Sequence, residues 1–357
     1  MKCFWGFCLI WFAVAPATVG AEGFSGLYDT SKLASEKPRF ESRINEMLTK
    51  AIRPSLTRDE KRALSGLRLE FPLVGMNHNP MDYYSGKRGG QGFVAMPILS
   101  LMFLEDLSTA YAWLHLRKYS LETIDEYVAM LRYKRASDFP GGRYPAPLKA
   151  LQIPNNALAD KKVDGLSLRF RNSAFAFILL HELGHIYLGH RGYRGITTAQ
   201  ARINEKKADR FALDILHRLS TIPMGAILFF QAQAYFMPSK GQLKAEGKVK
   251  TDREWEHYLR AKITHPLTAD RLSAMAAHLD RSAVKAGAGP DRQTLQYIAT
   301  RIEHIAGILA DPDLQACMAV VAHRTDLSTL APRLPRGNST GLLERWCGKK
   351  QGKPAND

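Results

Sequence analysis

The sequence predicts a mainly α-helical fold of the α+β class, with a small edge sheet and helical additions at both ends. Three observations predict it. Apolar residues recur at helical spacing along most of the chain. Strand-like alternation is confined to a few short runs. Capping and breaker residues bound the periodic stretches. With 357 residues, 45% of them hydrophobic, the chain can bury a sizeable core as one large or two modest domains.

Residues 1–21 read as a signal peptide. Lys2 supplies the positive charge, Cys3 to Val14 the apolar region, and Val19-Gly20-Ala21 the small residues of a cleavage site after Ala21. Glu22 to Lys37 reads as extended or loose. Phe40, Ile44, Met47, Leu48 and Ile52 then recur as one face of a helix. Thr57 with Glu60 forms a capping box for a helix reaching about Leu67. Leu69 to Val74 and Phe93 to Pro97 are short strands, separated by a Gly-, Asn- and Tyr-containing loop over Gly75 to Gly92. Tyr83 and Tyr84 in that loop read as packing residues. Ile98 to Arg117 is a long helix, and Leu121 to Tyr133 another. Together these form an amino-terminal helical subdomain over residues 22–147.

A central unit is expected over residues 148–285. Leu166-Ser167-Leu168-Arg169-Phe170 alternates as an edge strand would. The apolar run Ala174 to Leu180 enters a buried helix. Gly192, Gly195 and Thr197 mark a loop before a helix over Gln200 to Leu219. Pro223 to Phe236 is too short to cross a bilayer and contains Gln231 and Gln233, so it reads as a core helix. Helices over Leu267 to Ala283, Thr294 to Leu309 and Pro312 to Ala322 follow, the last two within a cap over residues 286–347. Residues 348–357 read as a disordered tail.

The chemistry concentrates at His181-Glu182-Leu183-Gly184-His185. Residues four apart share one face of a helix, so both imidazoles can grip one zinc ion. Glu182 lies about 100° round the helix, within reach of a metal-bound water. Buried His and Glu at the end of an apolar run are costly without a partner, and a metal removes that cost. Glu205 and Asp209 form a second i, i+4 pair on the next helix. His190, five residues past His185, reads as a helix-end residue that points elsewhere, with a part in shaping the site as the alternative.

These residues resemble the gluzincin metalloproteases, and most closely the family of the HtpX heat-shock protease and the CAAX prenyl protease. That resemblance rests on HExxH at His181–His185, ExxxD at Glu205–Asp209, and His265-Pro266 with Arg271 six residues after the His. It spans roughly Asn172 to Arg271 and implies a zincin-like catalytic core holding one Zn2+ per chain. His181, His185 and Glu205 would be the zinc ligands, and Glu182 the general base and then acid. Asp209 would orient a ligand histidine. His265 and Arg271 would sit by the substrate, with His265 stabilising the oxyanion. Taken alone, His265 also fits a helix start before an N1 proline, and Arg271 a surface salt bridge. The expected function is zinc-dependent endopeptidase activity on envelope or extracellular proteins. The alternative is a non-catalytic zinc-containing binding or chaperone-like envelope protein. A peptidase of cell-wall peptides is a third reading.

Lys and Arg number 50 against 34 Asp and Glu, a formal charge of +16. No dense basic block appears, and an exported chain meets little nucleic acid, so peptide or unfolded-protein substrates and peripheral contact with an anionic envelope surface are the expected partners. Export to the periplasm or medium favours a disulfide between Cys317 and Cys347, the two cysteines outside the leader.

Overall fold

The computed structural model describes residues 23–335, apart from 77–78, 191–195, 238–239, 246 and 263–264. The leader 1–21, Gly192 and Gly195 of the inter-helix loop, Thr264, Cys347 and the tail 348–357 lie outside the described residues.

α1 (Thr30–Glu46) runs through Pro38 into a π-helical stretch, Met47–Ile52, and the short α2 (Arg53–Ser55). Here the reading of residues up to Lys37 as loose is corrected. Pro38 removes one N–H from the helix, but Leu33, Phe40 and Ile44 are buried on one face and hold the turns either side of it. α3 (Arg58–Ala63) opens on the Thr57–Glu60 capping box, and Glu60 also receives a bidentate contact from Arg218.

The sheet comprises β1 (Arg68–Glu70), β2 (Tyr84–Arg88) and β3 (Gln91–Ala95) in the order β1-β3-β2. β1 runs parallel to β3, with Leu69 opposite Val94. β2 is antiparallel to β3, with Tyr84 opposite Ala95. β2 lies where the sequence reads as a loop. The Gly89-Gly90 turn, at φ +60° and +81°, joins β2 to β3 as a two-residue hairpin.

α4 (Ile98–Leu116) begins after Pro97 and is buried nearly all round, so it serves as a central core helix. α5 (Glu122–Tyr133) and the short α6 (Pro147–Ala150) follow. α7 (Lys161–Tyr187) spans 27 residues, about 40 Å at the usual rise. Asp160 caps it by accepting from the Lys162 N–H at 2.9 Å. The expected edge strand at Leu166–Phe170 is therefore wrong, since those residues lie inside α7. In its first twelve residues the buried positions are Val163, Ser167, Phe170 and Arg171, a helical spacing. A Ser167–Thr109 hydroxyl contact at 3.0 Å ties it to α4.

α8 (Thr198–Arg218) is capped by Thr197, whose hydroxyl accepts from the Gln200 N–H. α9 (Gly225–Phe236), α10 (Lys240–Ala245), α11 (Asp252–Lys262), α12 (Ala269–Lys285), α13 (Pro290–Ala310) and α14 (Pro312–Arg324) complete the fold. One hydrophobic cluster contains buried residues from Leu27 to Leu330. No helix among the described residues is long and apolar enough to cross a membrane. α7 packs against α4, α8 and α9, so its last turns sit in the interior. Gly184 permits the contact with α8, since a Cβ there would stand 3.1–3.3 Å from Phe211 and Ala208.

Candidate metal centre

Three chain segments converge at the end of α7. α7 supplies His181, Glu182 and His185, α8 supplies Glu205 and Asp209, and the segment entering α12 supplies His265, with Arg271 in its first turn. All but His265 are buried, and His265 is half-buried.

His181 Nε2 and His185 Nε2 stand 3.1 Å apart. Glu205 reaches both, with Oε2 at 3.4 Å from His181 Nε2 and Oε1 at 3.2 Å from His185 Nε2. His265 Nδ1 lies 3.3 Å from each Glu205 oxygen, and its Nε2 lies 3.3 Å from Glu182 Oε1. On the far side of His181, Nδ1 stands 2.8 Å from Asp209 Oδ1. Arg271 grips Asp209 through Nε and Nη2 at 2.7 and 2.8 Å and reaches Glu205 Oε2 at 2.7 Å. Its surface salt-bridge reading is thereby replaced by a buried one.

The residues fit a metal ion on three grounds. One donor atom from each of His181, His185, Glu205 and His265 lies within 4.8 Å of the others. Tetrahedral ligands at the usual zinc distances are separated by about 3.3 Å, close to the observed spacings of His181, His185 and Glu205. The cluster also buries three carboxylates, Glu182, Glu205 and Asp209, of which Arg271 pairs with Glu205 and Asp209, so it favours added positive charge.

The titration of the cluster tells the same story. Burial draws the His181 pKa down, but Asp209 and Glu205 outweigh it and raise it to about 10. Burial likewise opposes protonation of His265, yet Glu182 and Glu205 raise its pKa. Burial pushes Glu205 up, and Arg271 with the histidines pulls it well below the usual carboxylate range. The Glu182 Oε2 atom is buried without a hydrogen-bond partner. Such an atom calls for an explanation, and solvent held beside it supplies one.

Sequence reasoning gave little weight to two contributors. The first is His190, whose Nδ1 stands 3.0 Å from His185 Nδ1. Gly189, at φ +66°, ends α7 in a Schellman turn, with the His190 N–H on His185 O and the Gly189 N–H on Ile186 O. That turn carries His190 back towards its own helix, and a glycine just past the helix end was the signal available. The second is the segment Asn79 to Tyr83, which lines a cavity of about 170 Å³ together with His181, Glu182, His265 and the aromatic residues of α9. Tyr83 does pack, donating to Ser100 O at 2.8 Å, and it faces this cavity as well.

A family model described as Peptidase U49 matches residues 155–222, which contain His181 to His185, Glu205 and Asp209 and stop short of His265 and Arg271. The match supports a peptidase. Neither a curated protein nor a solved structure matches the chain.

Proposed function

We propose that this chain is a zinc-dependent endopeptidase, a gluzincin allied to the HtpX and CAAX prenyl protease family, that is exported after cleavage near Ala21 and cuts envelope or extracellular proteins. The observation that carries the reading is the buried, unpartnered Glu182 Oε2, one residue along the helix from His181 and facing the cavity beside the donor cluster. Metal-assisted peptide hydrolysis at an HExxH helix uses such a carboxylate as its general base.

His181, His185 and Glu205 would hold the ion. When bound, zinc lowers the pKa of its water towards neutrality and polarises a carbonyl oxygen. Glu182 Oε2 takes the proton of the attacking water and passes it to the leaving amine. His265, with its Nε2 3.3 Å from Glu182 Oε1, would present an N–H to the developing oxyanion. Asp209 fixes the ring of His181, and Arg271 fixes both Asp209 and Glu205. The Cys317–Cys347 disulfide belongs to the same proposal, as a tie for the C-terminal segment of an exported protein.

The test is hydrolysis of an unfolded protein substrate by the full zinc-loaded chain and by Glu182→Gln. The variant should keep its metal and lose at least about 10²–10⁴-fold in turnover. Equal hydrolysis by both proteins excludes Glu182 as the base. Bound zinc without hydrolysis, coupled to tight capture of an envelope protein, supports the binding-protein alternative instead.

A further inference from the structure

α7 has a far end that the hydrolytic step does not use. α4 and α7 run antiparallel, with Glu105 against Arg171, Thr109 against Ser167 and Arg117 against Asp160. The end of α4 therefore meets the start of α7. Lys161 there lies 20 residues from His181, about 30 Å along the helix at the usual rise.

Apolar side chains stay at the surface of this end. α4 stops in a left-handed turn at Lys118, φ +57°, in which the Tyr119 N–H donates to Leu114 O at 2.9 Å. That turn brings Tyr119 back onto Trp113, and the two partly buried rings stack at 5.3 Å. Leu116, one turn past Trp113, is 38% exposed. Leu158 is 48% exposed and sits in the short 3-10 turn Ala157–Ala159, which packs on both α4 and α7.

Single exposed leucines need no explanation, but these two stand among cations. Arg117, Lys118, Lys161 and Lys162 are all exposed. The facing carboxylates are Asp160 and Asp164, and Asp160 is engaged by Arg117 at 3.1 Å and by the Lys162 N–H at 2.9 Å. Four cations against two carboxylates leave this end positive. Ring pairs with one polar edge sit at the level of lipid headgroups, and lysine stems carry their charge out to phosphates. Lysine is depleted where proteins bind proteins and accumulates where they meet anionic lipid, so the lysines favour a bilayer over a protein partner.

We infer that the joined ends of α4 and α7 form a docking surface for an anionic phospholipid bilayer, with Trp113, Leu116, Tyr119 and Leu158 at headgroup level and the lysines on lipid phosphates. This does not rest on the peptidase reading. It keeps the donor cluster, at the other end of α7, away from the lipid.

Two measurements on the full chain test it. The first is flotation with vesicles of phosphatidylglycerol and phosphatidylethanolamine, set against phosphatidylcholine alone. Binding should require the anionic lipid and fall steeply between about 0.05 and 0.5 M salt. Lys161→Glu with Lys162→Glu should weaken it at least about 10-fold. Acidic residues at the first two positions of α7 suit the helix dipole, so that variant should keep its fold. Leu116→Ser with Leu158→Ser should also weaken binding. The second measurement needs no variant: amine labelling with and without the anionic vesicles, read residue by residue by mass spectrometry. Lys118, Lys161 and Lys162 should be protected, while Lys207, exposed on α8 near the donor cluster, should stay reactive. Equal binding to phosphatidylcholine, binding indifferent to the Lys161 and Lys162 reversal (as insertion of the apolar leader would give), or unchanged labelling at the three lysines would each overturn the inference. Capture of an acidic protein through these lysines, with no vesicle binding, would overturn it in favour of a protein partner.

Discussion

The two ring nitrogens of His185 face different neighbours. Nε2 points into the donor cluster, and Nδ1 meets His190 Nδ1 at 3.0 Å. Only one nitrogen in that contact can carry the proton while both rings are neutral. If Nε2 of His185 is a ligand, its Nδ1–H must donate and His190 must accept, with the His190 proton on Nε2. Burial and the neighbouring His185 push the His190 pKa down to about 4, so it stays a neutral acceptor near pH 7. His190→Ala should therefore weaken zinc binding about 10–100-fold in a chelator competition. His190→Asn, which keeps an acceptor oxygen, should recover part of the loss. Unchanged affinity in the alanine variant would remove His190 from this role. At this scale much was legible: the i, i+4 spacings carry His181, His185, Glu205 and Asp209 into one cluster. His190 was not, because its position depends on a left-handed turn at Gly189 and not on helical phase. The neighbours of Arg271 were also out of reach, since they come from a helix about 60 residues earlier.

At the scale of elements, α7 decides where the site sits. Its apolar second half was readable from the run Ala174 to Leu180, whereas its first half alternates over Leu166–Phe170 and mimics a strand. Short alternating runs satisfy both periods, and here the Asp160 cap and burial against α4 favour the helix. The sheet was half legible: β1 and β3 overlap the runs read as strands, while β2 lacks their apolar pattern and depends on the Gly89-Gly90 turn. Gly184 sets the approach of α7 to α8. Gly184→Ala gains about 1 kcal/mol in helix propensity but forces its Cβ against the Ala208 backbone, which costs about 1–3 kcal/mol. The net cost is about 0–2 kcal/mol, so the melting temperature of the metal-free protein should fall by no more than a few degrees. Zinc affinity should fall clearly, because the strain separates the His pair from Glu205. A variant with full affinity and unchanged melting would show that the interface yields without moving the donors.

For the whole molecule, two acids away from the cluster set a pH dependence. Asp106 accepts from the Tyr28 hydroxyl at 2.8 Å, and burial lifts its pKa to about 7 against the pull of Tyr28, Lys32 and Arg39. Asp125, held by Gln231, is lifted by burial to about 6. Both folded values lie above the unfolded value of about 3.9, so the folded state binds these protons more tightly. Their contribution is complete below about pH 4 and is lost as pH rises through about 6 and 7. For Asp106 it amounts to at most about 4 kcal/mol. The metal-free protein, kept in chelator, should unfold at lower denaturant concentration at pH 8 than at pH 5.5. Asp106→Asn should flatten that difference, and an unchanged slope would contradict the assignment. Folding also gathers into one hydrophobic cluster residues that the sequence alone divided among three units.

The central claim is that α7 and α8 together make a metal site. X-ray absorption on the full chain with one equivalent of zinc tests it most directly. It should show only nitrogen and oxygen neighbours, two of them imidazoles, with one imidazole lost in His185→Ala and the remaining shell altered in Glu205→Ala. Sulfur ligation, or a spectrum that neither substitution changes, would contradict it.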